Sequence, residues 1–96
     1  MRFRILLLSL VCALAATCAI AQEPCYADYR ASRTGPLELQ YGVAEIFGGC
    51  SVQEAQQELR PRLAADGWQL LEVIATFGES GLEERRESAG EFYLRY

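Results

Sequence analysis

The stretch LAADGWQLLEVIATF, Leu63–Phe77, decides how the rest of the chain is read. Gly67 can adopt the left-handed conformation that ends a helix without a Cβ penalty. With Asp66 as the last half-helical residue, Trp68 falls just past the glycine and can fold back onto Leu63, a contact that commonly accompanies such a cap. From Trp68 to Phe77 the chain is almost continuously apolar, with β-branched Val73 and Ile74 at its middle. Trp68, Leu70 and Ile74 fall on one face; Leu71, Val73, Ala75 and Phe77 fall on the other. A strand apolar on both faces is expected to be central or covered on both sides.

Upstream, Ser51-Val52-Gln53-Glu54 fits a capping box, in which the serine hydroxyl takes a backbone N–H of the first turn. Val52, Ala55, Leu59 and Leu63 recur at spacings of three and four, so a helix is expected from Val52 to about Ala65. Pro61 lacks a backbone donor and crowds the carbonyl of Gln57, which predicts a kink there. Leu37 to Phe47 alternates with period two, placing Leu37, Leu39, Tyr41 and Val43 on one side of a half-buried strand. Gly48-Gly49 end it. Residues 22–36, QEPCYADYRASRTGP, hold two prolines, a glycine and scattered charge, and read as an irregular arm. Downstream, residues 78–90 are charged and glycine-bearing and read as a solvated connection. The closing EFYLRY alternates again as a last strand. The expected order is β-α-β-β, one domain over residues 37–96, with one helix on a small, mainly antiparallel, three-stranded sheet.

Residues 1–21 read differently. Arg2 and Arg4 precede the apolar run Ile5–Ala16, and Ala19-Ile20-Ala21 supplies the small residues of a cleavage site, the pattern of a secretion signal. The run is short for a membrane anchor, which needs about 20 apolar residues. A lipoprotein site at Cys18 is weaker, because no leucine stands three residues before it. Cleavage after Ala21 leaves 75 residues, enough for one small domain. Nine basic residues become seven against thirteen acidic ones, and the net charge moves from −4 to −6. That balance argues against nucleic acid or an anionic membrane surface as partner. Cys12 and Cys18 leave with the signal. Cys25 and Cys50 remain in a chain bound for an oxidising compartment, secreted or periplasmic, and are expected to form one disulfide. Closing that loop is worth about 3.5 kcal/mol on a chain-entropy model.

The run Leu63-Ala64-Ala65-Asp66-Gly67-Trp68-Gln69-Leu70-Leu71 resembles the L-x-x-x-G-W-E-L-V stretch of a family of short bacterial βαββ proteins, a domain of unknown function. The resemblance spans roughly residues 37–96 and includes a closing strand ending near an arginine, as Phe92-Tyr93-Leu94-Arg95 does. It departs at Gln69, where that family more often has glutamate, and in the secretion signal and cysteine pair. It implies the fold and no activity.

Chemistry is constrained by what is missing. The chain has no histidine, so base-assisted serine or cysteine hydrolysis of the usual kind is not available. No cysteine or carboxylate cluster has the spacing of a metal site, and no cofactor is implied. An enzyme is not expected. Cys50 before a helix could be a reactive thiol, its pKa lowered by the helix dipole; half of a structural disulfide is the competing and preferred reading. The Gly48-Gly49-Cys50-Ser51 turn lacks the longer glycine pattern and lysine of a phosphate loop. For partner contact the candidates are Tyr26, Tyr29, Arg30 and Arg33 on the arm, since tyrosine and arginine are enriched at interface hot spots. Arg85 and Arg86 are candidates on the charged connection. The expectation is a non-enzymatic module outside the cytoplasm that binds a protein partner, or a second copy of itself, through an open sheet face or a strand edge. The alternative is a redox-active protein using Cys50.

Overall fold

The computed structural model of the protein describes residues 23–96; the signal read over residues 1–21, with Cys12 and Cys18, lies outside the described residues. Strands β1 (Cys25–Arg33), β2 (Glu38–Ile46) and β3 (Gln69–Phe77) form one antiparallel sheet in the order β2-β1-β3. Helix α1 (Val52–Ala64) covers one face, and a short helix, α2 (Glu83–Ala89), lies on the other. The fold is α+β, and a disulfide joins Cys25 to Cys50 across a Cα separation of 5.9 Å. It ties the first residue of the central strand to the turn that enters α1.

The observed order is β-β-α-β, with α2 after it, and the difference lies at both ends of the chain. The segment read as an irregular arm is the central strand. Its period of two is present but faint: Cys25, Ala27, Tyr29 and Ala31 are all buried against α1, while Tyr26, Asp28, Arg30 and Ser32 alternate with them. Two alanines carry little hydrophobic signal, and two charges interrupt it. The closing EFYLRY is not a strand. A single turn of 3-10 helix spans Gly90–Phe92, Tyr93 makes one isolated parallel bridge to Val43, and Leu94 sits at a left-handed φ of 56°. Residues 78–90 are more ordered than a loop, forming a 3-10 turn (Glu79–Gly81) and then α2.

The ends of α1 lie where the sequence places them. The Ser51 hydroxyl accepts the Glu54 N–H at 3.0 Å. The serine hydroxyl in turn donates to the Glu54 carboxylate at 2.8 Å, which does not reach back to the serine N–H as a full capping box would. Pro61 lies inside one continuous helix, on an exposed position. At the far end Trp68 N–H bonds the Leu63 carbonyl and Gly67 N–H bonds the Ala64 carbonyl, both at 3.0 Å, with Gly67 at a φ of 78°. This is the paired bonding of a glycine-terminated helix. Ala55, Leu59, Leu63 and Trp68 then close over Ala27, Tyr29 and Ala31.

β3 is an edge strand rather than a central one. Its register against β1 slips twice, so that Leu71 and Ile74 are extra residues opposite no partner. A bulge turns the added side chain away from its alternating position. Leu71 and Ile74 accordingly stay 53% and 45% exposed, which accounts for the strand's apolar surplus.

Candidate functional site

The second face of the sheet, opposite α1, divides into two halves. Register places Tyr26 beside Glu45 and Phe77, Asp28 beside Val43 and Ala75, and Arg30 beside Tyr41 and Glu72. Over the first two rows lies α2 with its flanks: Leu82, Ala89 and Tyr93 pack on Tyr26, Val43, Tyr41 and Phe77.

A buried carboxylate holds that cover in place. Asp28 is 5% exposed and accepts from three donors: the Tyr41 hydroxyl at 2.9 Å, the Ala75 N–H at 3.0 Å and Arg85 Nε at 3.0 Å. A buried charge is tolerated when it is paired and hydrogen-bonded in this way. The Arg85 guanidinium also lies 3.9 Å from the centre of the Phe77 ring and donates to the Gly81 carbonyl. Burial works against the arginine's charge, but the bond to Asp28, the charge of Asp28 and that of Glu84 together outweigh it and hold its pKa above the ordinary value. Burial, reinforced by the hydrogen bond to Asp28 and its charge, pushes the Tyr41 phenol up to about 12. Asp28 draws all three of its donors from within the domain, so the cluster works as an internal tie.

Nothing among the described residues covers the rest of this face. Leu39 is 70% exposed on β2, Leu71 stands out from the β3 bulge, and between them Arg30 Nε donates to Glu72 Oε1 at 3.0 Å. Together with Ala31 and Gln40 they line a groove of about 300 Å³. Two leucines around one exposed ion pair give adhesion with orientation: apolar area to bury and a cation and an anion to fix the approach. They offer no nucleophile or proton-transfer group with a perturbed environment.

The residues named from sequence are dispersed by the fold. Tyr29 is fully buried, its hydroxyl donating to Gln40 Oε1 at 2.8 Å, and burial pushes its pKa upward. Tyr26 is buried against Phe77, and Arg85 is committed to Asp28. Arg33 lies 4.2 Å over the Trp68 ring on the other face and pairs with Glu38. Arg86 is exposed on α2 near Tyr93. Arg30 alone reaches the open half-face. Its neighbours there, Leu39, Leu71 and Glu72, were not singled out by sequence. The signal for Leu39 was its alternation with Tyr41 and Val43; for Leu71 and Glu72 there was none, since a bulge set by β1 exposes them. Cys50 is bonded to Cys25, so the described residues present no free thiol. They also contain no group of three histidine, cysteine, aspartate or glutamate residues placed to hold a metal ion.

No family model, curated protein or solved structure matches the chain.

Proposed function

We propose that this protein is an extracytoplasmic, non-enzymatic protein-interaction module whose contact surface is the open half of the second sheet face. The observation that carries the reading is the unequal cover of that face. A three-stranded sheet with helices on both sides leaves Leu39 and Leu71 exposed around the Arg30–Glu72 pair. Exposed apolar groups gathered in one place, with polar groups among them, are how interaction surfaces are built. The strand edges are less suited to the task. β2 has Leu94 N–H bonded to the Val43 carbonyl at 2.8 Å, and β3 is bent by two bulges, a device that discourages edge-to-edge pairing. Export follows from the leader reading and fits the Cys25–Cys50 bond, since disulfides persist in oxidising compartments.

A photo-reactive phenylalanine analogue placed at Leu71, with Gln53 on the exposed side of α1 as control, tests this in the producing cells. The expected outcome is a protein adduct at Leu71, recovered outside the cytoplasm, and none at Gln53. Equal labelling at both positions, no adduct at Leu71, or retention of the protein in the cytoplasm would overturn the reading.

A further inference from the structure

The open half-face carries its own complement. Arg30 and Glu72 lie side by side on β1 and β3, one cation and one anion, with a leucine on either flank. Turn a second copy through a two-fold axis lying in the plane of this patch, between β1 and β3, and each cation meets the other copy's anion, while the leucines of one copy meet those of the other. A two-fold interface requires one patch to be complementary to itself, and a surface of single sign could not meet that requirement. The domain's acidic surplus of thirteen to seven disfavours contact between copies through surfaces that carry that surplus. Here the charges of the patch cancel locally.

We infer that the occupant of this surface is a second copy of the same chain, joined face to face about a two-fold axis, with Arg30 and Glu72 of each copy exchanging partners. This rests on the reading of the half-face as the contact surface and names the partner. The covered rows occupied by α2 set the limit of the contact, leaving a small patch at the transient end of interface sizes. The dimer is therefore weak and concentration-dependent, and its formation leaves α2 and the Asp28 cluster undisturbed.

Sedimentation equilibrium on the exported, disulfide-bonded protein tests the inference. Wild type should show mass rising from one chain towards two as concentration approaches about 1 mM. Arg30→Glu places two carboxylates against two, Glu72→Arg places two guanidinium groups against two, and each should weaken association at least about tenfold. Mixed one to one, these two variants should associate with each other at least as well as wild type, because every contact then joins opposite signs. Both positions are exposed, and unchanged urea unfolding midpoints would establish that the variants are folded. A wild type that stays at one chain's mass throughout would overturn the inference, as would a mixture no better associated than its components. If the adduct at Leu71 then contained a different protein, the contact-surface reading would stand while the second copy fell. No adduct at all would sink both.

Discussion

On one face of the sheet, Ala55, Leu59, Leu63 and Trp68 close over Ala27, Tyr29 and Ala31, and a hydrogen bond between buried side chains there joins Tyr29 to Gln40. On the other, a seven-residue helix is pinned by one buried carboxylate with three donors. Apolar burial is additive and forgiving: it scales with area and survives modest substitution. A buried charge depends on every partner being present, because removing one leaves the others desolvated and unpaired. The first arrangement can cover a whole face with a long helix. The second holds a short helix through that carboxylate and a few apolar contacts, and covers only half of the face.

The largest expected effect separates the two directly. Asp28→Ala strands Arg85, the Tyr41 hydroxyl and the Ala75 N–H, and should cost about 3–5 kcal/mol. Leu59→Ala, at a position with no exposed surface, should cost about 2–5 kcal/mol through lost transfer energy and a cavity. The magnitudes overlap, but their distribution should not. Amide hydrogen exchange is expected to show residues 82–93 losing protection selectively in Asp28→Ala, with α1 and its strands retaining theirs. Leu59→Ala should loosen the α1 layer and the sheet together. Uniform loss of protection in both variants would mean that the two faces are one cooperative unit and that the contrast is false.

A smaller effect probes how tightly the apolar face is filled. Gly42 pairs with Tyr29 across the sheet, and the Tyr29 ring lies over it, so a methyl group at residue 42 would overlap the phenol. Tyr29 is fully buried and cannot swing aside without displacing its neighbours. Gly42→Ala should therefore cost about 1–3 kcal/mol, the usual range for overpacking. In a double-mutant cycle, Tyr29→Leu should relieve much of that cost, since the clash is with the ring. Additive losses would place the penalty in the backbone of β2 instead.

The same contrast explains which parts of the architecture could be read from sequence. The capped helix and its glycine exit depend on residues three to five positions apart, so Ser51, Glu54, Leu63, Gly67 and Trp68 disclosed them. The central strand did not disclose itself, because Asp28 looks like a surface residue until its partners are known. Two of them, Ala75 and Arg85, stand 47 and 57 positions away. α2 was hidden for a related reason: Leu82 and Ala89, one on each side of a charged run, are its apolar contribution, too little for a periodic signal. The candidate site was half legible. Arg30 was named with the wrong companions, since those it has are assembled by strand register and by a bulge, neither of which is a local property.

The gentlest probe of the polar face is alkaline titration. Tyr41 has its phenol raised to about 12 by burial first and by Asp28 second, with Arg85 opposing. A phenol whose folded pKa lies above its unfolded value of 10.0 stabilises the fold fully below pH 10. That contribution is lost as pH rises through the window from 10 to about 12, because the unfolded chain ionises first. Urea midpoints of the wild type should thus fall across this interval. The fall should be smaller in Tyr41→Phe, which has no proton to lose at that position. Tyr29 supplies the internal control: burial raises it too, but on the apolar face, where its hydroxyl meets an amide rather than a carboxylate. Tyr29→Phe should therefore leave intact the part of the pH dependence that Asp28→Asn removes. If Tyr41→Phe and wild type lost stability equally between pH 10 and 12, the Asp28–Tyr41 bond would not be among the contacts that hold α2 to the sheet.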